Sequence, residues 1–216
     1  MGFGIPHDPE LQSEAVKMLR KADKVLAKII DLSGPMKLEA ENKQSPYEAL
    51  AEAIVYQQLN GRAAETIFNR VQKAFGGRGK KFPKPEDFLK MPDEPLRAAG
   101  LSRAKLLALR DLSAKAAEGF VPSHRQILKM EDSEIIEKLD TIRGIGKWTV
   151  EMLLIFKLGR PDILPVDDYG VRRGFAKAYR KKVMPTPKEL LAFGERWRPY
   201  RTTASWYLWR AAEMKP

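Results

Sequence analysis

Two adjacent aspartates, Asp167 and Asp168, are the residues whose type and position most suggest chemistry. They follow the proline turn LPV and precede a segment that reads YGVRR. One carboxylate can cap the helix predicted to follow, and the other can project beside it. A carboxylate on a basic surface repels phosphates, so its presence there indicates that some chemistry requires it. The alternative is that both aspartates only cap the helix.

A second feature is the turn formed by Gly144 and Gly146 within TIRGIGKWT. In such a turn, backbone N–H groups can converge on an anion, and the N-terminus of the following helix favours negative charge. A dinucleotide-binding fingerprint is excluded, because the preceding segment is helical and a third glycine is absent. The segment from Gly76 to Pro83 is also glycine-rich, but Lys80 has no hydroxyl residue after it, so it is not a P-loop. A hairpin between two helices remains, with or without a bound phosphate.

The composition restricts the possible chemistry. The chain has 216 residues and no cysteine, which excludes disulfides, thiolate-bound zinc, a cysteine nucleophile and cysteine-ligated iron–sulfur clusters. Histidine is limited to His7 and His124. No apolar run approaches the roughly 20 residues that cross a bilayer, and the N-terminus lacks the residue order of a secretory signal. We therefore expect an intracellular protein, cytoplasmic or nucleoid-associated in a bacterium or archaeon and nuclear in a eukaryote.

Positive charge is concentrated towards the C-terminus. The formal net charge of the chain is +11, and from Tyr169 onward 12 basic residues stand against 3 acidic ones, a net of +9. This asymmetry favours a surface that docks on a polyanion such as a nucleic acid. A solvated basic face without a ligand is the alternative.

Apolar residues recur at spacings of three and four along almost the whole chain, and no segment alternates as a strand would. The sequence therefore predicts an all-α fold. The predicted helices are 9–32, 46–57, 62–75, 94–99, 103–118, 131–140, 147–158, 168–182 and 187–207, the last with a break near Pro199. The predicted N-cap residues are Ser102, Ser123 and Asp132, and the predicted C-cap glycines are Gly100, Gly119 and Gly159.

Three motifs together resemble one protein family. They are Gly-Ile-Gly-Lys-Trp at 144–148, Leu-Pro-Val-Asp-Asp at 164–168, and the terminal segment RWRPYR at 196–201 with Trp209. This combination resembles the helix-hairpin-helix DNA glycosylases, specifically the 3-methyladenine DNA glycosylase II type, over most of the chain. The segments YQQLN at 56–60 and GLSRAK at 100–105 also look like segments of that family. Because helices begin by about residue 9, the chain resembles the compact members that have no N-terminal β-rich domain.

The resemblance implies two helical lobes with an active-site cleft between them, one at approximately 46–160, including the hairpin 133–158, and one at approximately 1–45 plus 161–216. It implies that Asp168 is the catalytic carboxylate, which leaves Asp167 as the helix cap. Cleavage of an N-glycosidic bond builds positive charge on the sugar, and a fixed carboxylate stabilises that charge. The implied activity is removal of alkylated bases, such as 3-methyladenine and 7-methylguanine, from DNA after base flipping.

Trp148 stands where the bifunctional relatives carry a lysine, so the resemblance implies a monofunctional hydrolase that leaves an intact abasic site. The residues implied to surround the base pocket are Trp148, Trp209, Met152 and Tyr56. Aromatic faces attract cations, which suits a base that alkylation has made cationic. Leu59 matches the wedge that fills the space left by the extruded nucleotide. For these aromatic residues and for Leu59, ordinary core packing is the alternative.

The hairpin is implied to bind a DNA phosphate through Gly144, Gly146, Lys147 and Thr149. The resemblance further implies that a monovalent cation, Na⁺ or K⁺, is held by the main-chain carbonyls of Asp140, Ile142 and Gly144. No other cofactor is expected. The expected partner is double-stranded DNA containing alkylated bases, bound by a monomer.

Two other functions stay open. The first is a non-catalytic, sequence-independent DNA-binding protein built on the same hairpin, and Asp168 argues against it, because a pure binder gains nothing from a carboxylate facing DNA. The second is a glycosylase for uracil or oxidised bases. The choice of lesion depends on the shape of the pocket, which the sequence does not specify.

Overall fold

The computed structural model describes residues 9–38, 44–76 and 82–214. Within these ranges the chain forms 13 α-helices, one 3-10 helix and no strand, which confirms the predicted all-α fold. His7 and residues 77–81 of the glycine-rich basic segment lie outside the described residues. In the part of the chain that is described, no helix is long and apolar enough to cross a membrane.

In chain order the helices are α1 Pro9–Ala22, α2 Lys24–Ser33, α3 Pro46–Tyr56, α4 Gly61–Ala74, α5 Pro85–Lys90, α6 Asp93–Ala98, α7 Arg103–Ala117, α8 His124–Ile127, α9 Asp132–Leu139, α10 Lys147–Phe156, α11 Tyr169–Ala178, α12 Pro187–Gly194 and α13 Arg201–Glu213. The 3-10 helix Glu195–Trp197 lies between α12 and α13. The predicted break near Pro199 therefore falls between two separate helices.

Side-chain caps set several of the helix boundaries. Ser102 and Ser123 cap α7 and α8 as predicted, each accepting a hydrogen bond from the N–H three residues later. The prediction for Asp132 is wrong by one residue, because Asp132 is the first residue of α9 and Glu131 occupies the N-cap position. The short helices α5, of six residues, and α8, of four residues, were not predicted from the sequence.

The predicted helix 9–32 is wrong in one respect, because it is two helices separated at Asp23. The backbone of Asp23 is extended, with φ −148° and ψ 106°, and its carboxylate accepts hydrogen bonds from two backbone N–H groups in the first turn of α2. Asp23 is buried, and it also accepts hydrogen bonds from the indole of Trp197 at 3.0 Å and from the hydroxyl of Tyr179. A buried carboxylate must be hydrogen-bonded, so these partners outweigh the continuous helical periodicity of the segment.

The chain divides into two compact units, and the division falls within α10. The first unit consists of Met1–Glu41 and Leu154–Pro216. In this unit α11 packs tightly along α13, because Gly174 of α11 has no side chain. A Cβ at Gly174 would lie 1.8 Å from the backbone oxygen of Leu208 in α13. This close approach brings the backbones of α11 and α13 together at Leu208, the residue before Trp209.

The second unit is Asn42–Leu153. Here α3, α5 and α6 each pack against α7. Four phenylalanines form a stacked cluster with ring centroids 5.3–5.8 Å apart, namely Phe68, Phe75, Phe82 and Phe88. Arg110 of α7 donates to the backbone oxygens of Phe88 and Leu89, which ties the end of α5 to α7. The result is that α7 is fixed on several sides within this unit.

Candidate active site

Asp168 stands at the N-cap of α11, immediately before Tyr169. Its Oδ1 accepts a hydrogen bond of 2.8 Å from the backbone N–H of Val171. The expectation that Asp167 is the cap is therefore wrong. Because α11 begins at Tyr169, Asp167 lies one residue too early to cap it, and its side chain is exposed.

A second donor holds the Asp168 carboxylate. The indole Nε1–H of Trp209, on α13, donates to Oδ1 of Asp168 at 2.8 Å. The Trp209 ring stacks on Phe156 at a centroid distance of 5.7 Å, which limits its movement. Gly170 leaves room for this arrangement, since a Cβ there would lie 2.8 Å from Cδ1 of Trp209 and 3.1 Å from Oδ1 of Asp168. The carboxylate is thus fixed in position within the first unit.

The fixed carboxylate has a definite chemical capacity. Two N–H donors on one oxygen orient the group, and the positive end of the α11 dipole favours its negative charge. A preoriented anion stabilises positive charge that develops beside it without paying for reorganisation at the moment of reaction. Asp168 is partly exposed rather than buried, so a reacting group can approach it.

The predicted hairpin lies in the second unit, between the end of α9 at Leu139 and the start of α10 at Lys147. Gly144 has φ +76°, a left-handed conformation that favours glycine, and a Cβ there would lie 2.9 Å from Cβ of Ala108. Gly146 has neither constraint, because the heavy atom nearest to its would-be Cβ is 3.9 Å away. The fold therefore requires a glycine at 144, whereas a Cβ at 146 would only meet Oδ1 of Asp140 at ordinary contact distance, and Gly146 is exposed.

Two side chains of α7 anchor the hairpin. Oδ2 of Asp111 accepts a hydrogen bond of 2.8 Å from the backbone N–H of Arg143 and pairs with Nζ of Lys115 at 2.9 Å. Lys115 also donates to the carbonyl oxygen of Thr141 at 2.8 Å. Burial alone would raise the pKa of Asp111, but the bonds from Arg143 and Lys115 outweigh it and lower that pKa below its ordinary value.

The predicted phosphate contacts differ in their suitability. The side chain of Lys147 is about half exposed, and its Nζ lies 3.8 Å from Oε1 of Glu151 one turn later. Thr149 is buried, and its backbone N–H already donates to the oxygen of Gly146 at 2.8 Å. The geometry therefore disfavours Thr149 as a phosphate contact, while the backbone at Gly146 and the side chain of Lys147 remain accessible.

The three carbonyls implied to hold a cation lie in or beside the same turn. The oxygen of Gly144 accepts a hydrogen bond of 2.8 Å from Nε2 of Gln57, and the oxygen of Ile142 accepts one of 3.0 Å from the N–H of Ile145. Asp140 is the C-cap residue of α9 and is exposed. A carbonyl oxygen has two lone pairs, so one hydrogen bond at each still leaves capacity for an ion.

The predicted wedge residue lies in the turn between α3 and α4. Leu59 is 39% exposed, so it is not an ordinary core residue. Gln58, just before it, has φ +56°, a left-handed conformation that is uncommon for residues other than glycine. Asn60, just after it, caps α4 through a hydrogen bond from the N–H of Ala63. Leu59 is therefore presented by a short and tightly defined turn.

The other residues of the second unit that were predicted to surround a base pocket lie on two helices. Trp148 is 46% exposed, and Met152 follows it one turn later on α10. Tyr56 ends α3, and its ring packs edge-on against Phe68 at a centroid distance of 6.3 Å. Burial raises the pKa of Tyr56. Trp148 is not a core residue, so the alternative of ordinary core packing is wrong for it.

Comparison with known proteins decides the family. A family model for HhH-GPD superfamily base excision DNA repair proteins matches residues 51–199 of this chain. The chain belongs to the HhH-GPD superfamily. The match includes the hairpin and Asp168, while Trp209 follows it in the sequence.

This chain is similar to several relatives over most of their length. DNA-3-methyladenine glycosylase 1 of Schizosaccharomyces pombe is 37% identical over 217 residues, covering 96% of this chain and 93% of that protein. A solved structure of S. pombe 3-methyladenine DNA glycosylase, Mag1, in complex with abasic DNA has a TM-score of 0.82 at 36% identity, covering 93% of this chain and 97% of the other. A DNA-3-methyladenine glycosidase from Bacillus halodurans also has a TM-score of 0.82, at 35% identity, covering 95% and 90%.

Several residues that position the site escaped the sequence analysis. Asp111 and Lys115 are four residues apart on a helix, a spacing that predicts an ion pair but not its contact with the hairpin. The need for a glycine at 170 could not be predicted from the neighbouring residues. It arises from the close approach of Trp209, which is distant in the sequence. The same holds for Gln57, whose partner at Gly144 is 87 residues away.

Proposed function

We propose that this protein is a DNA-3-methyladenine glycosylase, which hydrolyses the N-glycosidic bond of alkylated purines in double-stranded DNA and leaves an abasic site. The observation that carries the proposal is the Asp168 carboxylate, held at 2.8 Å by both the start of α11 and the indole of Trp209. Relatives named for this activity and an HhH-GPD match over most of the chain support it.

In this proposal Asp168 acts on the sugar. As the bond to the base breaks, positive charge develops on the deoxyribose, and the carboxylate stabilises it and orients the attacking water. The base carries its own positive charge when alkylated at a ring nitrogen, so it leaves without a strong general acid. Aromatic faces attract such a base. The proposed contacts are the exposed indole of Trp148, with Met152 and Tyr56, in the second unit and the ring of Trp209 in the first unit.

In the same proposal, the hairpin binds the DNA backbone. Gly146 is exposed, so a phosphate can approach its backbone, and Lys147 contributes charge. The carbonyls of Asp140, Ile142 and Gly144 would hold a monovalent cation, whose positive charge would help to bind the phosphate. Leu59 would enter the duplex and occupy the space of the flipped nucleotide. We infer that the protein acts as an intracellular monomer.

The decisive experiment compares Asp168→Asn with wild type in single-turnover excision from duplexes that contain one 3-methyladenine or 7-methylguanine. Asparagine keeps the cap and the acceptor for Trp209 but removes the charge. We expect excision to fall by about 10²–10³-fold, while affinity for the duplex is retained or raised. Asp167→Asn is the matched control, and its excision rate should equal that of wild type because Asp167 is exposed and makes no cap.

Other outcomes of this experiment would assign another function. DNA binding with no excision by the wild type on any lesion would make the protein a non-catalytic binder. Faster release of uracil or 8-oxoguanine than of the methylated purines would make it a glycosylase for deaminated or oxidised bases. An excision rate in Asp168→Asn that equals wild type would remove Asp168 from the mechanism.

The reaction product provides a separate prediction. Because a tryptophan occupies position 148, the site offers no lysine there to form a Schiff base with the sugar. We expect product DNA to contain intact abasic sites that break only on treatment with alkali. Borohydride should trap no covalent complex, and a trapped complex would show that another amine of the chain reaches the sugar.

A further inference from the structure

The turn that presents Leu59 has the geometry of a type II β-turn from Tyr56 to Leu59. Gln57 has φ −51° and ψ 132°, Gln58 has φ +56°, and the N–H of Leu59 donates to the oxygen of Tyr56 at 3.3 Å. Glycine or asparagine is preferred at the third position of such a turn, so glutamine there costs free energy. The surrounding structure must therefore hold this turn in place.

Lys105 binds the end of α3, directly before the turn. Its Nζ, on α7, donates to the oxygen of Val55 at 2.7 Å. Val55 is in the last turn of α3, whose carbonyls have no partner further along the helix, and a positive charge at that end is favoured. Lys105 belongs to the segment GLSRAK, whose role the sequence left unassigned.

Gln57, within the turn, binds the hairpin. It is the first residue after α3, and its Nε2 donates to the carbonyl oxygen of Gly144 in the hairpin at 2.8 Å. Gly144 is in turn fixed by its left-handed backbone and by contact with Ala108 of α7. The turn that carries Leu59 is therefore linked directly to the hairpin, and both are connected to α7.

We propose that Gln57 and Lys105 are positioning residues, which fix Leu59 relative to the hairpin before DNA is bound. This proposal rests on the proposed function, because it assigns the two residues to the step in which the base stack is opened. A turn already fixed in the unbound protein loses little conformational freedom on entering the duplex, so more of the binding energy goes into separating the bases. A freely moving Leu59 would enter the stack less often in the productive orientation.

The experiment measures single-turnover excision of 7-methylguanine from duplex and from single-stranded DNA, and takes the ratio of the two rates. We expect Gln57→Ala and Lys105→Met each to lower the duplex rate by about tenfold, as the loss of one hydrogen bond predicts, with the single-strand rate little changed. Leu59→Ala should lower the same ratio. Lys90→Met, which removes an exposed charge on α5 of the same unit, is the matched control and should leave the ratio unchanged.

Double variants separate positioning from general stability. Because Gln57 and Lys105 act through Leu59, Gln57→Ala with Leu59→Ala should lose no more than about twofold beyond Leu59→Ala alone, and Lys105→Met with Leu59→Ala likewise. Equal losses on duplex and single strand, or losses that multiply in the double variants, would overturn the proposal while leaving the glycosylase activity itself established. Absence of excision by wild type would instead overturn the proposed function.

Discussion

At the scale of single residues, both hydrogen bonds to the Asp168 carboxylate that anchor it to α11 and α13 end on the same oxygen, Oδ1. This arrangement fixes the rotation of the group as well as its position. The motif around Asp168 could be recognised in the sequence, but its cap role could not, because a one-residue shift in the start of α11 decides which aspartate caps the helix. The bond from Trp209 depends on residues 41 positions apart, so no local pattern could reveal it.

The role of the Trp209 indole can be tested with Trp209→Phe. Phenylalanine keeps an aromatic ring against Phe156 but removes the N–H donor to Asp168. We expect the excision rate to fall by about tenfold, the effect of losing one hydrogen bond to a charged group, with little change in the melting temperature.

A stacking role alone would give a different result. If Trp209 only contacted the base through its ring, Trp209→Phe would retain most of the activity, and the difference between methylated purines and uracil would change instead. Combining Trp209→Phe with Asp168→Asn distinguishes the two roles, since the loss should not multiply when the indole acts through the carboxylate.

At the scale of helices, one face of α7 organises the second unit. Lys105, Ala108, Asp111 and Lys115 follow at intervals of three, three and four residues, so they lie along one side of the helix. They contact the end of α3, Gly144, and both sides of the hairpin turn. The periodicity of α7 predicted the helix correctly, but the sequence could not show that this face supports the hairpin, because every partner is distant along the chain.

The ionisation of Asp111 leads to a prediction about pH. Its pKa is lowered in the folded protein, so its contribution to the free energy of unfolding is complete above the ordinary aspartate pKa and is lost as the pH falls through the lowered value. At pH 7, Asp111→Asn should reduce the free energy of unfolding by about 1 kcal/mol, a value that allows for partial exposure of the pair. Urea unfolding at several pH values measures this difference, which should shrink below about pH 4.

The control for Asp111→Asn is Glu118→Gln, which changes an exposed carboxylate at the end of the same helix. A negative charge at a helix C-terminus is unfavourable, so this change should leave stability the same or raise it slightly. A difference between Asp111→Asn and wild type that grows as the pH falls would contradict the assignment of Asp111 as a hairpin anchor.

At the scale of the whole chain, the number of basic residues overstates the number of cations that are available to a ligand. Of the basic residues near the C-terminus, Arg198 and Arg201 both pair with Asp162 and Glu195, and Arg210 pairs with Glu213. The count of 12 basic residues from Tyr169 onward could not distinguish these paired arginines from solvated cations. Any electrostatic surface for DNA therefore depends on fewer cations than the composition indicates.

The salt dependence of DNA binding tests this distinction. For undamaged duplex, the logarithm of the association constant should fall linearly with the logarithm of salt concentration. The expected slope is about −0.9 per phosphate neutralised. Lys147→Gln should reduce the magnitude of this slope by about 0.9, the value for one phosphate contact. Arg201→Gln should leave the slope unchanged but lower the melting temperature, because its guanidinium is largely buried against Asp162. Equal effects of the two variants on the slope would place Arg201 among the DNA contacts.

The double role of Asp168, as helix cap and as charge, has a genetic consequence. The aspartate and asparagine codons differ by one base, and asparagine preserves the cap and the acceptor for Trp209. Under the proposed function, the Asp168→Asn allele encodes a protein that folds, accumulates and binds alkylated DNA without releasing the base. Such an allele would be dominant rather than recessive, because its product would occupy lesions that other repair enzymes could reach. Coexpression with wild type should therefore raise sensitivity to methylating agents above that of a cell with the wild-type allele alone.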